Sequence, residues 1–535
     1  MSNNKRIRTK FEEKQLDRMV GVGETGSDFA RIWIRSDKPG EILITVNSQE
    51  ERVTIDDAAA DWTQTVVIKG LKPLTRYEYN VVRLSDNELI GKGQFETFPK
   101  KPEDTPDKVS IALMSCHQPF SDDNIVSERR MRLLKVLPKI LSDHDVKFIL
   151  LAGDQIYSDI PSDRSLFYKH YTEKWNNPKG PSITDWDAQD VRMAYQERYR
   201  IFFSMTEVQH FYANYPCYPI LDDHEIVDDW GAKQVHSEKL YQNVKKGALE
   251  AYFDYQGSRV TERGAHLPPS FHYSFDYGNV GIFVLDLRSQ RKAEDKGDIT
   301  GIGDIASIGI GDRGGKGKVK DKGQLFDSSQ LIDFEKFLSN NQEKRVLLIM
   351  SSVPVVHIPE WLVKAGASLT GHALDFPDHW AYKTNVDARD KFLKLIHKHQ
   401  VKNPKQKVII VSGDVHIGCA FAIRWEGCGK QPTLYQFTSS AISNRVKKLK
   451  TEFLKLVPGW AEDDDIECKN GLKAKTPLLE SIDPVNKGEN PFGGLNIGII
   501  EIHNEENESL VTFKLVGYPE GKTDEYLDFF VSKKL

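Results

Sequence analysis

Cysteine is scarce in this sequence: the 535 residues contain five, an odd number, and no C-x-x-C pair. This usage argues against a disulfide framework and against a zinc knuckle. It favours a reducing compartment, so we expect a cytoplasmic protein, or an exported one if a leader segment has been removed. The amino-terminal stretch MSNNKRIRTKFEEKQLDRMV has basic residues but no apolar region, so it is not typical of a signal peptide.

The sequence also lacks a long apolar run and an excess of basic residues. No hydrophobic segment approaches the length of a membrane helix, so we expect no transmembrane span. The formal net charge of −5 leaves no surplus of cations to neutralise phosphates, so no stable complex with nucleic acid is expected. The apolar content of 39% is typical of a globular protein, and the length predicts two domains. The oligomeric state stays open.

The strand pattern divides the chain near residue 105. Short alternating runs, rich in β-branched and aromatic residues, predict a fibronectin-like or immunoglobulin-like β-sandwich over residues 1–105. The segment PKKPEDTPDK is rich in proline and charge and indicates a linker. Over residues 106–535, buried strands and amphipathic helices predict an α/β (α+β) domain with a layered β-sheet core flanked by helices.

Two insertions interrupt the second domain. Residues 158–215 are rich in aromatic side chains at helical spacing, which predicts a packed helical cap over the sheet. An aromatic wall for a substrate is the alternative. Residues 293–323 are rich in glycine and charge, which is typical of a surface loop. Their glycines do not follow the order of a nucleotide-binding loop, so no nucleotide site is predicted there.

Four predicted buried strands end in side chains that can bind metal ions. The residues at these ends are Cys116 and His117, Asp154 and Tyr157, Asp222, Asp223, His224 and Glu225, and Asp414 and His416. A single aspartate or histidine after a strand is more often a helix cap or a turn residue. Ligands bind at the carboxyl edge of open α/β sheets, so four such ends together indicate a metal site.

The segment DDHEIVDD, residues 222–229, places five carboxylates and one histidine in eight positions after an apolar run. Buried carboxylates this close to one another need cations between them. A phenolate beside a thiolate favours oxidised iron at one position, whereas a site built mainly from aspartate favours a harder divalent ion at the other. Two such ions can clamp the attacking and leaving oxygens of a displacement at phosphorus.

The ordered motifs SCHQPF, GDQIYSD, LDDHEIVDDW, LDLRSQR, GDVH and FTSSAIS resemble those of the alkaline phosphatase D (PhoD-like) family of calcineurin-like metallophosphoesterases. The resemblance spans nearly the whole chain and implies a β-sandwich followed by a metallophosphoesterase domain. It implies hydrolysis of phosphate monoesters, diesters or both, with a metal-bound hydroxide as the nucleophile at a two-metal centre. A nuclease-like phosphodiesterase and a non-catalytic binding module with structural metals are the alternatives.

The resemblance also implies a role for each matching residue. The metal ligands would be Cys116, Tyr157 and His416 at an iron-like ion, Asp223 and Asp414 at the second ion, and Asp154 between the two. His224 would lie near the leaving-group oxygen and protonate it or stabilise its charge. Because we expect an extended backbone here, the side chains of Asp223 and His224 should point different ways. Arg288 and Arg291 would contact the substrate phosphate or act as structural ion-pair partners.

The sequence departs from the wider superfamily at three places. Cys116 stands where the usual first motif carries aspartate and histidine, and Asp223 replaces the asparagine of the usual GNHD motif. Ser351 and Ser352 stand where many relatives place a metal-binding histidine. The last two changes make the second site richer in oxygen, which favours Ca²⁺ over zinc beside Fe³⁺ at the first. Other divalent ions such as Mn²⁺ or Mg²⁺ stay open.

Overall fold

The structure is a computed structural model of the chain. It describes residues 17–121, 124–262, 264, 266–293, 323–356, 379–380, 385–426, 432–444, 465–468, 472–486, 488–518 and 526–535. Strands and helices alternate over most of this length, which confirms the predicted α/β class. Most of the Gly-rich segment predicted to be a surface loop, residues 294–322, lies outside the described residues.

The strands are numbered in chain order. They are β1 Met19–Thr25, β2 Phe29–Arg35, β3 Gly40–Val46, β4 Gln49–Ile55, β5 Thr63–Lys69, β6 Arg76–Arg83, β7 Glu88–Glu96, β8 Lys108–Met114, β9 Val146–Ala152, β10 Cys217–Ile220, β11 Tyr273–Tyr277, β12 Val280–Val284, β13 Val346–Ser351, β14 Lys407–Ser412, β15 Cys419–Glu426, β16 Thr433–Thr438, β17 Asp465–Cys468, β18 Leu472–Ser481, β19 Asn496–Asn504, β20 Ser509–Gly517 and β21 Leu527–Val531. The α-helices of the described residues are α1 Glu128–Asp143, α2 Lys169–Thr172, α3 Ala188–Phe203, α4 Thr206–Asn214, α5 Lys239–Tyr255, α6 Ser328–Asn340 and α7 Val386–Lys402.

The first seven strands form two antiparallel sheets with the orders β1-β2-β5 and β4-β3-β6-β7. Ile32 and Ile34 of β2 and Ile42 and Ile44 of β3 are fully buried in one shared core. Two sheets that enclose one apolar core make a β-sandwich.

Two larger sheets carry the rest of the fold, with the orders β10-β9-β8-β19-β20-β21 and β11-β12-β13-β14-β16-β15-β18-β17. In the first, β8, β9 and β10 run parallel, with α1 as the crossover between β8 and β9. In the second, β12, β13, β14 and β16 run parallel. Parallel strands place their carboxyl ends at one edge of each sheet, which is where the predicted metal ligands follow in the sequence.

Both faces of the larger sheets are covered, which explains the continuous apolar runs of their strands. Ile282 and Val284 of β12 belong to the core that contains the strands of the first large sheet. The intervening Phe283 points to the opposite face, where its ring meets Phe334 of α6 at 5.1 Å, and Phe334 in turn meets Phe392 of α7 at 4.8 Å. Packed helices and sheets therefore hold the strand ends rigidly.

Helices α2, α3 and α4 lie within residues 158–215. The aromatic face of α3 is buried: Tyr199 stacks on Tyr255 of α5 at 4.9 Å, and Phe202 meets Phe120 edge-on at 5.5 Å. These rings pack in the interior, so they do not form an open wall for a substrate. Within the described ranges, no helix combines the length and apolar character that a bilayer span requires.

Asp61 connects the β-sandwich to the helices. Its carboxylate accepts two hydrogen bonds of 2.9 Å from Arg35 of β2 and also contacts Arg200 of α3 and Tyr255 of α5. Burial alone would raise the pKa of Asp61, but the hydrogen bonds and charge of Arg35, with Arg200, hold it below its ordinary value. The carboxylate therefore stabilises the packing of the sandwich while it is ionised.

We expect Asp61→Asn to lower the free energy of unfolding by about 2 kcal/mol at pH 7, because the cations lose their charged acceptor. The folded-state pKa is lower than the unfolded one, so this stabilisation is present above about pH 4 and is lost as the pH falls through the folded-state value. Urea unfolding at pH 7 and at pH 3 measures both effects. The exposed Asp56→Asn is the matched control, and an equal loss at the two pH values would contradict the role of the charge.

Candidate metal centre

The loops after β8, β9, β10 and β14 carry the predicted metal ligands to one place. Cys116, Asp154, Asp414 and His416 all have left-handed backbones, with φ of 57°, 56°, 65° and 57°. This conformation is uncommon for residues other than glycine and persists only where the surroundings impose it. The surrounding structure therefore holds these four loop residues in fixed backbone conformations, which set the directions of their side chains.

The first cluster contains a thiol, a carboxylate, an imidazole and a phenol. Ligand atoms of Cys116, Asp154 and His416 lie within 4.8 Å of one another. The Cys116 Sγ lies 3.5 Å from Asp154 Oδ2, and the Tyr157 hydroxyl donates to the same oxygen at 3.0 Å. The Tyr157 hydroxyl also lies 3.4 Å from His416 Nε2. The structure therefore brings together the four residues that the resemblance assigns to the iron-like ion.

The second cluster consists of carboxylates alone. Oxygens of Asp154, Asp222, Asp223 and Asp414 lie within 4.8 Å of one another. Asp154 belongs to both clusters, as expected of a bridging ligand. Asp222 was not among the ligands predicted from the sequence. In the sequence, the only indication of a ligand role for Asp222 is its position as the first residue of the DDHE motif.

The donor sets fit bound cations. Asp154 Oδ1 and Asp222 Oδ2 are buried oxygens for which no hydrogen-bond donor is present among the described residues. Burial raises the pKa of Cys116, Tyr157 and Asp154 well above the ordinary values, and neighbouring negative groups raise it further. A cation between these groups would reverse both effects, because it stabilises their ionised forms.

Glu225 holds the two aspartate-bearing loops together. Its Oε2 accepts hydrogen bonds from the backbone N–H of Asp154 at 2.9 Å and of Asp222 at 2.8 Å. Its Oε1 accepts from the N–H of Gln155 at 2.7 Å and from the side chain of Gln256 at 3.2 Å. Glu225 is fully buried, so it orients the ligands rather than binding substrate. Sequence reasoning noted its charge but not this role.

Arg288 lies behind the second cluster. It is fully buried, its Nε donates to the Asp222 carboxylate, and its guanidinium lies 3.7 Å from Asp223 Oδ1. Ser352 donates to Asp222 Oδ1 at 2.8 Å. These contacts favour the ion-pair alternative for Arg288. Arg291 is also buried and lies against Gly231, in the loop that follows the second cluster.

His224 is held by a carboxylate. Its Nδ1 lies 2.7 Å from Asp159 Oδ1, and its ring lies 4.1 Å from the Tyr157 ring between centroids. Burial by itself lowers the pKa of His224, but Asp159, Asp223 and Asp154 together raise it well above the ordinary value. The side chain is 13% exposed, so solvent or substrate can reach it.

The backbone at His224 differs from the expected extended segment. Asp223–Glu225 forms a 3₁₀ turn that begins after Asp222, and the turn brings His224 near Asp154 and Asp223 rather than directing it away from them. The reason is Glu225, because its carboxylate accepts the N–H of Asp222 and folds the chain back on itself.

The motif FTSSAIS supplies the wall behind the first cluster. Ser440 Oγ lies 3.1 Å from Cys116 Sγ and accepts the backbone N–H of His416. The next residue after the motif, Asn444, donates to the Tyr157 hydroxyl at 3.0 Å. These contacts could not be predicted from the sequence, because no local pattern relates residues so far apart in the chain.

His117, which stands at one of the four strand ends, lies outside both clusters. Its Nδ1 is 3.0 Å from Ser443 Oγ, and its ring packs edge-on against Phe202. Burial lowers its pKa to about 3. His117 is therefore a neutral, packed imidazole.

We expect Glu225→Gln to weaken metal binding 10–100-fold, the usual cost of losing a group that orients ligands. The amide can accept fewer backbone N–H bonds than the carboxylate, so the loops of Asp154 and Asp222 lose their common anchor. Elemental analysis after dialysis measures the metal content, with the exposed Glu262→Gln as control. Full metal content in a folded Glu225→Gln protein would contradict this role.

Known proteins share the sequence pattern and the fold of this chain. The model of the PhoD-like phosphatase family matches residues 112–469. No curated protein matches significantly. One similar solved structure is described as "Structure of PhoD"; it is 13% identical with a TM-score of 0.64, and the match covers 96% of this chain and 89% of that one.

Another similar structure is the purple acid phosphatase PPD1 from yellow lupin (Lupinus luteus) seeds. It is 11% identical with a TM-score of 0.50, and the match covers 96% of this chain and 73% of that one. At these identities the two structures show the fold, whereas the family model spans most of the sequence and carries the assignment. The chain belongs to the PhoD-like phosphatase family and is a hydrolase that acts on phosphoric esters.

Proposed function

We propose that this enzyme hydrolyses phosphate monoesters, diesters or both at a centre of two metal ions. The observation that carries the proposal is the position of the Asp154 carboxylate, which belongs to both clusters. It lies beside Cys116 and His416 in the first cluster, and beside Asp223 and Asp414 in the second. Two ions so held would supply an activated water and polarise the phosphoryl oxygens. A binding module would not need a carboxylate shared between two clusters and a reachable histidine beside them.

The donor types support Fe³⁺ in the first cluster and Ca²⁺ in the second. Tyr157 and Cys116 offer a phenolate and a thiolate, which suit oxidised iron, and His416 adds an imidazole. The second cluster offers carboxylate oxygens only, which suit a hard cation, and Mn²⁺ or Mg²⁺ would fit the same donors. Zinc favours thiolate and imidazole donors, and this cluster of four carboxylates has neither, so zinc is disfavoured there.

We assign His224 as the group that protonates the leaving-group oxygen or stabilises its charge. Asp159 accepts from Nδ1 and in turn accepts the backbone N–H of Asp228 at 3.0 Å, so the imidazole is fixed in one orientation. With Nδ1 engaged, Nε2 is the atom that can give up a proton. Burial lowers the pKa of His224, but the Asp159 carboxylate, which lies on the side of the ring bonded through Nδ1, raises it and stabilises the protonated ring.

Arg288 supports the site from behind. One buried guanidinium beside Asp222 and Asp223 offsets part of their repulsion and holds both carboxylates in position for cation binding. Because Arg288 is fully buried, we assign it this positioning role rather than contact with the substrate.

Hydrolysis of p-nitrophenyl phosphate and of bis(p-nitrophenyl) phosphate tests the proposal. We expect release of p-nitrophenol, loss of activity after treatment with a chelator, and recovery on addition of Ca²⁺. Elemental analysis should find iron and calcium, and a visible absorption band of phenolate-bound Fe³⁺ should disappear in Tyr157→Phe. Undiminished activity in metal-free protein, or zinc as the sole metal, would refute the assignment. Single-stranded DNA as a third substrate tests the nuclease alternative.

We expect His224→Ala to keep both metals and lose about 10²–10⁴-fold in kcat, the range for a general acid or a charge-stabilising group. The loss should shrink for esters with strongly acidic leaving groups, which need little protonation. Asp159→Asn should show the same dependence on the leaving group with a smaller loss, and the exposed His210→Ala serves as control.

Equal losses for good and poor leaving groups would exclude the general-acid role. Loss of metal from His224→Ala, measured by elemental analysis, would make this residue a ligand instead.

A further inference from the structure

A cavity of about 480 Å³ opens at the loop that follows the second cluster. Its walls come from the loop that follows the second cluster, from the start of α5, and from the segment after β12. The residues that matter for its chemistry are Trp230, His236, Glu238, Lys245, Arg291 and Lys292. None of these residues has a role in the metal centre.

The cavity is joined to the second cluster by short contacts. The N–H of Asp229 donates to Asp223 Oδ2 at 2.6 Å, and Trp230, the next residue, lines the cavity. Backbone dimensions then place the Trp230 Cα within roughly 8 Å of the Asp223 carboxylate. The cavity therefore borders the loop whose backbone is hydrogen-bonded to the second cluster.

The opposite wall is fixed to the same cluster. The N–H of Arg291 donates to the carbonyl of Arg288, whose guanidinium contacts Asp222 and Asp223. The Arg291 side chain lies against Gly231, where a Cβ would come within 2.8 Å of it. The Gly231 backbone has φ of 78° and donates its N–H to His236 Nδ1 at 3.1 Å. Both walls thus keep a set position relative to the metals.

The charge of the cavity is positive. Lys245, Arg291 and Lys292 line it, against a single acidic residue, Glu238, which is exposed to solvent. Among the described residues, neither Lys245 nor Lys292 forms an ion pair with a carboxylate. Burial lowers the pKa of Lys245, the Asp286 carboxylate raises it in part, and the nearby charge of Lys292 lowers it again. Two ammonium groups that face one cavity repel each other. The carboxylates that act on them, Asp286 on Lys245 and Asp327 on Lys292, are not part of the cavity lining, so an anion in the cavity would offset the repulsion directly.

We propose that this cavity binds a second phosphate group of the substrate, so that the enzyme prefers organic phosphate esters that carry two phosphates. The inference rests on the proposed function, because it takes the metal centre as the place of the scissile phosphate. Lys245 and Lys292 donate to the second phosphate, and Arg291 adds positive charge to the wall behind it. The acidic net charge of the whole chain does not oppose this preference, because local charge governs a recessed site.

Calorimetry on the metal-loaded enzyme tests the subsite with thymidine 3′,5′-bisphosphate and thymidine 5′-monophosphate as probes. We expect the bisphosphate to bind at least tenfold more tightly. Lys245→Gln and the exposed Lys292→Gln should each weaken the bisphosphate about tenfold and leave the monophosphate unchanged, because each removes one charge-assisted hydrogen bond. Lys246→Gln, exposed on the same helix and outside the cavity, should change neither affinity.

A kinetic comparison separates this inference from the proposed function. Thymidine 5′-(p-nitrophenyl phosphate) and its 3′-phosphorylated form release the same chromophore, and the lysine variants should raise KM for the second alone, with kcat unchanged. Equal affinity of the wild-type enzyme for the two probe nucleotides, or equal weakening of both in the variants, would overturn the subsite. Failure to hydrolyse any p-nitrophenyl ester would instead overturn the proposed function, and the calorimetry would still decide the subsite.

Discussion

The repulsion among the buried carboxylates around Asp154 is the constraint that determines the rest of the site. Asp222, Asp223 and Asp414 bring their oxygens within 4.8 Å of those of Asp154, in a place that water reaches poorly. Arg288 offsets part of this charge, but the buried oxygens Asp154 Oδ1 and Asp222 Oδ2 have no hydrogen-bond donor among the described residues. The site is therefore built to be completed by metal ions, whose binding free energy offsets the cost of assembling the ligands.

The surrounding fold keeps the ligands in place before any ion binds. Parallel strands with both faces covered deliver the loops to a common edge, and the left-handed backbones of Cys116, Asp154 and Asp414 aim the side chains inward. Glu225 then ties two of these loops through their backbone N–H groups. A ligand set fixed in this way loses little conformational freedom on binding, which favours affinity and geometric selectivity.

Sequence reasoning found the strand-end ligands because parallel strands end at a common edge of the sheet. Side chains of Asp, His, Tyr or Cys that follow apolar runs can therefore be assigned to one place without a structure. The same reasoning placed Asp222 at a strand end but gave it no ligand role, because the directions of two adjacent aspartate side chains depend on whether the backbone is extended or turned. It could not choose between the two roles of Arg288, since only the tertiary fold shows that the side chain is buried beside Asp222. The lysines of the cavity lie on separate elements, and no local pattern connects them.

The single carboxylate of Asp154 has a thermodynamic consequence for the two clusters that share it. In the proposed two-metal centre, an ion in one cluster would ionise and orient this carboxylate and would therefore change the affinity of the other cluster for its own ion. Linkage requires the effect to be reciprocal, so each ion alters the affinity for its neighbour by the same factor. The two proposed sites would then fill and empty as a coupled pair, and the scarcer of the two metals would set the fraction of enzyme that carries both.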